Sequence, residues 1–341
     1  MNHKLTDRRQ IGSTTLEVPP LGYGAAHLGG MYAPVPGEVA RATLQAAWDG
    51  GIRYFDTAPY YGLGLSEHRV GDFLIDQRRD DFVITTKVGR VLHRPADPKT
   101  FDRGGWGGGL NFEIEWDYSY DGIMRAYEQS LLRLGLDTID GLLIHDPEPS
   151  GHGEMHPARM KDMAESGIKA LEELKARGEI KAIGMGLNAA ASLVTIAPLV
   201  KLDFCIVAMP YTLLDQSALQ TGLKRCIDQN ISVIIGAPYA SGILATGPGP
   251  GARYRYGIAP EDIQDKARRI QAVCGRHGVS LQAAALQFPL AHPAVVSIIP
   301  GGVKPAEVTA NLGFLQEEIP AAFWQELKAE SLIDAQAPTP N

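Results

Sequence analysis

The segment "RYFDTAPYYGLGLSE", residues 53–67, admits two readings, and the choice between them decides the fold. An apolar run ending in aspartate, a glycine-rich turn and a helical pattern follow one another, as they do where a Rossmann sheet binds a dinucleotide. That fingerprint is G-x-G-x-x-G, and its third glycine would have to stand at position 67, which is Glu67. "GYGAAH", residues 22–27, fails in the same place, at His27. Without the fingerprint, an open doubly wound sheet loses its main support, and the run at 52–57 reads as one of a series of buried strands.

The series is "VPPLGYG" (18–24), "IRYFDT" (52–57), "FVITTK" (82–87), "IDGLLIH" (139–145), "IKAIGMG" (180–186), "DFCIVAM" (203–209), "SVIIGAP" (232–238) and "VVSIIPG" (295–301). Amphipathic patterns lie between them, among them "PGEVARATLQAAWDGG", "YDGIMRAYEQSLLRLGL", "GIKALEELKARG" and "PEDIQDKARRIQAVCGRHG". Such alternation is the mark of β-α units around a parallel sheet. Several of the helical patterns stop at a glycine, as helix C-termini do. Eight units without a break in composition predict an α/β fold of the (β/α)8 TIM-barrel type, with residues 1–341 as a single domain.

Bulk properties narrow the function. With 45% hydrophobic and 21% charged residues the chain can bury a large core, and a net charge of -7 argues against a nucleic-acid partner. Cys205, Cys226 and Cys274 are odd in number, widely spaced and lack a C-x-x-C pair, so they read as core thiols in a reducing compartment. "MNHKLTDRRQ" lacks an apolar signal core, and no apolar run is long enough to span a bilayer, which makes cytoplasmic the expected location and a membrane an unexpected partner. Monomer and homodimer are equally compatible with the sequence.

Two long connections, about 88–117 and 242–259, interrupt the rhythm. Each follows a strand, so in a barrel each overhangs the C-terminal face, where active sites of this architecture sit. Trp106, Phe112, Trp116, Tyr254 and Tyr256 are the expected wall for a small polar substrate, and the second connection, with "RYRYG", is the expected lid.

Strand ends supply the chemistry. Asp56, Lys87 and His145 close the second, third and fourth strands, and Tyr61 follows Asp56 in the next loop. An unperturbed phenol, with a pKa of about 10, exchanges protons poorly near neutrality, and a neighbouring ammonium lowers that value. Lys87 is placed to supply the charge, Asp56 to hold the lysine, and His145 to polarise a carbonyl or orient an alcohol. Tyr60 is expected to line the substrate pocket or pack beneath it. His145, His152 and His156, with Asp146, Glu148 and Glu154, form a second polar stretch, but its spacing matches no helical metal motif, so a solvated rim and no metal are expected.

"FDTAPYYGLGLSE", "ITTKVGR", "LLIHDPEP", "IKAIGMGLN" and "IIPGGVKPAEVTANLG" resemble, in this order and over nearly the whole chain, the aldo-keto reductases. The resemblance implies a (β/α)8 barrel, a tetrad on Asp56, Tyr61, Lys87 and His145 with Tyr61 as general acid/base, and hydride transfer at a nicotinamide lying across the barrel mouth. It further implies cofactor contacts from Gly24, Ala25, Asp56, Asn188, Tyr239, Gly242, Leu244, Gly301, Gly302, Lys304, Glu307 and Asn311. Substrate contacts are implied for Tyr60, Trp106, Phe112, Trp116 and His145.

Departures from the family pattern carry expectations of their own. The lysine and arginine that hold the 2′-phosphate of NADP in many members fall on Gly301 and Glu307, leaving Lys304 as the cation of the segment. A carboxylate at 307 repels a phosphate and can accept a hydrogen bond from a ribose hydroxyl, so NAD is the expected cofactor and NADP the lesser one. The family's Ser-Asn pair, glutamine and stacking aromatic fall on Gly186-Leu187, Ala208 and Gly236, and Asn188 and Tyr239 are expected to stand in.

Within the family, "YTLLDQSAL" (211–219), "SGILATG" (241–247) and "HDPEP" (145–149) look most like the dehydrogenases that oxidise L-fucose, D-threo-aldoses and related sugars at the anomeric carbon. The expected reaction is therefore oxidation of a cyclic hemiacetal to a lactone. The same machinery suits pyridoxal, oxidised at its hemiacetal carbon to 4-pyridoxolactone, or a general aldehyde or ketone reduction. A reading of a different class is a non-catalytic subunit that senses nicotinamide redox state.

Overall fold

The computed structural model describes residues 4–340. Among them, eight parallel strands pair in chain order: β1 (Tyr23–Gly24), β2 (Tyr54–Asp56), β3 (Val83–Val88), β4 (Gly141–His145), β5 (Ala182–Leu187), β6 (Phe204–Ala208), β7 (Ser232–Gly236) and β8 (Val295–Ile299). The sheet closes on itself. Leu21 bridges to Ile298, and the Gly22 and Gly24 N–H groups donate to the carbonyls of Ile298 (2.9 Å) and Pro300 (3.1 Å).

All eight runs expected from the sequence contain a barrel strand, and the fold is the expected (β/α)8 barrel. One boundary moves. Val18, the first residue of the run assigned to the first strand, instead joins Glu17 in a short antiparallel hairpin against Arg9–Gln10.

Alternation along the strands sorts side chains into two cores. Phe55, Ile84, Leu142, Ile144 and Val207 face outward into the layer under the helices, while Tyr54, Leu143, Ala182, Phe204, Ile234 and Ile299 fill the barrel. The N-terminal hairpin closes the bottom, where Ile11, Leu16 and Val18 join the interior cluster. Packing inside is tight enough to dictate residue type: a Cβ at Gly184 would lie 2.7 Å from the ring of Phe204. The inward register of Tyr54, Thr85 and Leu143, continued two residues towards the strand ends, brings Asp56, Lys87 and His145 to the mouth.

Helix ends follow the sequence signals. The helix Tyr120–Leu134 starts at Ser119, whose Oγ accepts the Gly122 N–H (3.1 Å), and it stops at Gly135 with φ 64°. Glu261–His277 likewise stops at Gly278, φ 65°. The helix expected near 167–178 is Ile168–Ala176, and it continues a π turn (Met163–Gly167) and a further helix (His156–Asp162) that the sequence pattern did not suggest.

In the turn after β2, Gly62 adopts φ 66°, and a Cβ there would lie 2.3 Å from the Gly29 carbonyl oxygen. This glycine lets two mouth loops touch. Glu67, where a fingerprint glycine would stand, is fully buried and accepts hydrogen bonds from Thr86 Oγ1 (2.6 Å) and Arg133 Nε (2.5 Å).

Two hairpins overhang the mouth, Arg90–His93 paired with Glu113–Trp116 after β3, and Arg253–Tyr254 paired with Gly257–Ile258 after β7. The three cysteines are buried. Ala337 is fully buried too, so the segment after the last helix docks against the core. Among the described residues no helix is long and apolar enough to cross a membrane.

Candidate active site

Lys87 ends its barrel-facing register with its ammonium out of water. Its Nζ donates to Asp56 Oδ2 (2.7 Å) and to the Thr57 carbonyl (2.8 Å), and both members of the pair are almost completely buried. Thr85 Oγ1 donates to the other Asp56 oxygen (2.8 Å), with Tyr54 OH 3.1 Å behind it. Burial pushes the Asp56 carboxyl above its ordinary range, opposed by the charge and hydrogen bond of Lys87.

Tyr61 comes over the same spot from its loop. Lys87 Nζ lies 4.6 Å from the centre of the Tyr61 ring, and the ring stands at 89° to that of His145 with centroids 5.7 Å apart. The expectation that Lys87 lowers the Tyr61 phenol is not met. Burial pushes this phenol well above its usual value, with the Asp56 and Asp146 carboxylates adding to the rise and Arg90 opposing it. Burial is the largest cause, and the Lys87 ammonium, shared with Asp56 and the Thr57 carbonyl, does not offset it. His145 is driven the other way, far below its ordinary value, by burial and by the cations Arg90 and Lys87. It is therefore neutral at physiological pH.

Tyr61, Lys87 and His145 form the floor of a cavity of about 400 Å³, with Asp56 beneath Lys87. Met31, Tyr32, Tyr60, Trp106 and Tyr256 wall it, and Gly186, Leu187, Asn188, Ile206 and Ala208 form its β5–β6 side, with Asp146 next to His145. A second cavity of about 380 Å³ lies at the opposite end of the barrel, lined by Arg8, Arg53, Arg79, Asp140 and Lys181. Its charges are already committed: Arg79 and Lys181 each reach Asp140 at 2.8 Å. The chemistry belongs to the mouth.

Sequence-derived candidates divide accordingly. Asp56, Tyr61, Lys87 and His145 converge, and Tyr60, Trp106, Asn188 and Tyr256 reach the cavity around them. Phe112 does not line it and is 38% exposed. Trp116 also stands outside, because its strand pairs with Arg90 and turns the indole away onto the Arg90 guanidinium (3.9 Å) and the His152 ring (4.2 Å). Tyr254 packs in the outer core, and the mouth goes to Tyr256, which stands in the turn of the short hairpin with φ 66°.

The stretch expected to be a solvated rim is one only in part: residues 149–151 and 153–155 are exposed, but Glu148 and His152 are each 5% exposed. Glu148 accepts from the N–H groups of Asn188 and Ala189, and His152 Nε2 lies 2.8 Å from the Asp146 carbonyl. Among the described residues no group of three His, Cys, Asp or Glu side chains is placed to hold a metal ion.

Most residues expected at a cofactor lie along the β1, β7 and β8 edge, while Asp56 ends β2 and Asn188 follows β5. Gly301 and Gly302 follow β8, and a Cβ at Gly301 would meet His27 Nδ1 at 2.5 Å, an atom without a hydrogen-bond partner among the described residues. Tyr239 OH donates to Asn311 Oδ1 (2.6 Å), and Gly242 sits in the turn after β7 with φ 110°. Glu307 Oε2 accepts the Val303 N–H (2.8 Å) at the start of the helix Pro305–Gln316, which Lys304 precedes. Gly24 and Ala25 are engaged in the fold itself, Gly24 through β1 pairing and Ala25 as acceptor of the Ser66 hydroxyl (2.8 Å). Leu244 departs from expectation: its side chain is fully buried in the outer core, which leaves only its backbone near the edge.

Arg90 and Asp146 were not selected from the sequence as site residues. Their signal was present in "KVGR" and "HDP", immediately beyond Lys87 and at the end of β4.

The profile of the aldo/keto reductase family matches residues 20–331. The chain belongs to that family. This aldo/keto reductase is 40% identical to the pyridoxal 4-dehydrogenase of Microbacterium luteolum, over 98% of its own length and all of the relative's. It is 41% identical to the D-threo-aldose 1-dehydrogenase of a Pseudomonas species, over 95% and 96% of the two chains. A solved aldo-keto reductase from Bacillus halodurans, in its holo form, superposes with a TM-score of 0.74 at 26% identity, covering 97% of each chain.

Aldo/keto reductases use nicotinamide cofactors, and the mouth suits one. Gly186, Ala208 and Gly236 leave the ends of β5, β6 and β7 without bulky side chains beside Lys87 and His145; a Cβ at Gly186 would stand 3.6 Å from both. The unpartnered His27 nitrogen beside the bare Gly301–Gly302 turn offers a polar contact at the other end.

Proposed function

We propose that the protein is an NAD-dependent dehydrogenase that oxidises the cyclic hemiacetal of an aldose to a lactone. The observation that carries this reading is the convergence of Tyr61, Lys87 and His145 on one cavity whose aromatic walls are relieved by Asp146 and Asn188. Aromatic faces suit the C–H faces of a sugar ring, and the two polar side chains suit its hydroxyls.

In this reading Gly24, Asn188, Tyr239, Gly301, Gly302, Lys304, Glu307 and Asn311 hold the cofactor, and the nicotinamide supplies the hydride acceptor. Neutral His145 donates a hydrogen bond to the substrate oxygen and orients it. Tyr61, once ionised, takes the hydroxyl proton, and the Lys87 ammonium on its ring face stabilises the phenolate as it forms. Asp56 fixes Lys87 in place. Preference for NAD rests on Glu307, held at the β8 turn by the Val303 N–H, where it opposes a 2′-phosphate. Comparing kcat/KM for the two cofactors tests this, and a clear advantage for NADP would sink it.

Pyridoxal is the second reading, favoured by the four aromatic rings of Tyr32, Tyr60, Trp106 and Tyr256 around the cavity and by the pyridoxal-oxidising relative matched end to end. A spectrophotometric screen of NAD reduction over aldoses and pyridoxal separates the two. The expected result is reduction with an aldose and a lactone product. Turnover with pyridoxal alone replaces the substrate, and no turnover with any hemiacetal overturns the dehydrogenase reading.

A further inference from the structure

A carboxylate in this cavity poses an electrostatic problem. Asp146 Oδ2 lies 3.5 Å from His145 Nε2. Left alone there, an anion draws a proton onto the imidazole and resists ionisation of the nearby Tyr61. Yet Asp146 is held in place from several sides. Its carbonyl meets His152 Nε2 (2.8 Å), its Oδ1 accepts from Asn188 Nδ2 (2.8 Å), and its backbone takes φ 45°, a conformation unusual for a residue with a side chain.

Arg90 answers that problem. It is 4% exposed, and its Nη2 donates to Asp146 Oδ2 at 2.7 Å. Its guanidinium is clamped between the rings of Tyr60 (4.4 Å) and Trp116 (3.9 Å), and its Nε and Nη1 have no hydrogen-bond partner among the described residues. Such a cation is committed to the Asp146 side of the site in charge as well as in position. The other groups facing His145 are Lys87, already paired with Asp56, and the rings of Tyr60 and Tyr61.

We propose that Arg90 is a positioning residue of the active site, the fixed cation that neutralises Asp146 and so lets a carboxylate stand in the substrate cavity without charging His145. Burial and the direction in which Arg90 moves both proton-handling groups agree with this role: it opposes the rise at Tyr61 and favours neutral His145. The hairpin Arg90–His93/Glu113–Trp116 thereby gains a task besides shaping the rim, since it delivers both the cation and one of the rings that clamp it. The proposal rests on the role given above to His145 and Tyr61.

Histidine NMR titration tests it without turnover. The chain has nine histidines, so the His145 signal is assigned by its loss in His145→Gln. Arg90→Met keeps much of the packing and removes the charge, and is expected to raise the His145 midpoint by about one pH unit or more. Arg90→Met combined with Asp146→Asn returns it to the original midpoint or below, and Arg90→Lys stays near it. In Asp146→Asn alone, where Arg90 remains, the midpoint stays or falls.

An unchanged midpoint in Arg90→Met, an equal rise in the double variant, or a rise in Asp146→Asn overturns the proposal, and the last of these is available even where Arg90→Met does not fold. Failure of NAD reduction by the unaltered protein would sink the dehydrogenase reading instead, leaving the titration result to stand or fall by itself.

Discussion

Asp56, Lys87 and His145 project from barrel strands and are at most 5% exposed, whereas Tyr32 and Tyr256, which wall the same cavity, ride on connecting loops and are 42% and 46% exposed. The floor is fixed by the hydrogen-bond ladder of the sheet and by a buried ion pair, so an error there is felt in full. The backbone of the rim is tied by Tyr32 N–H to the Gly105 carbonyl (3.2 Å) and Tyr256 N–H to Ser241 Oγ (2.9 Å), but its two tyrosine side chains are held by ring contacts and one long hydrogen bond, Tyr256 OH to Asn188 Oδ1 at 3.4 Å, and can yield. Chemistry is therefore assigned to the rigid part and substrate choice to the adaptable part.

The largest test of that division is Tyr61→Phe, which is expected to lower turnover by about a thousandfold or more while cofactor affinity, read by fluorescence titration, stays within about twofold. Near-normal turnover would remove Tyr61 from the floor's chemistry. Next comes Lys87→Met, which strands the Asp56 carboxylate and is expected to cost about 3–5 kcal/mol of stability at neutral pH.

That cost depends on pH in a definite direction. Burial already raises the folded Asp56 pKa above its ordinary 3.8, and loss of Lys87 removes the opposing pull, so the folded variant binds a proton that the unfolded chain does not. Its stability should recover as pH falls towards the unfolded value. Denaturant unfolding at neutral and mildly acidic pH would show a constant deficit if this account were wrong.

A smaller effect follows from the raised Tyr61 phenol. Oxidation needs the phenolate, so its rate should climb with pH through the neutral range, while reduction, which needs the phenol, should be flat there. Opposite slopes would break the assignment. At the rim, Tyr256→Phe is expected to raise KM by less than about tenfold with kcat nearly unchanged, the scale of a single hydrogen bond. Phe112→Ala, which touches no cavity wall, should change both constants by less than about twofold, and a larger loss would mean that the first insertion closes further over substrate than its position here.

The strands were legible because each is a short apolar run bounded by turn residues, and parallel strands buried on both faces leave that trace. The convergence of Asp56, Tyr61, Lys87 and His145 was legible because three of them end such runs. What escaped has local causes. The plugging hairpin Arg9–Gln10/Glu17–Val18 has strands of two residues each, too short for periodicity to register. Trp116 and Tyr254 looked like wall residues because nothing in "EIEW" or "RYRYG" tells which face of an isolated hairpin meets the mouth. Arg90 and Asp146 were passed over because their importance lies in a pairing across 56 residues of chain, which a linear pattern does not display.

The plug of Ile11, Leu16 and Val18 gives the barrel a single door. Solvent approaching from below meets the apolar interior cluster, whereas the Lys87 side chain lines the cavity at the mouth. Once a ligand sits over Tyr61, hydrogen exchange at that nitrogen should run on the clock of ligand departure, making a buried lysine a reporter of residence time.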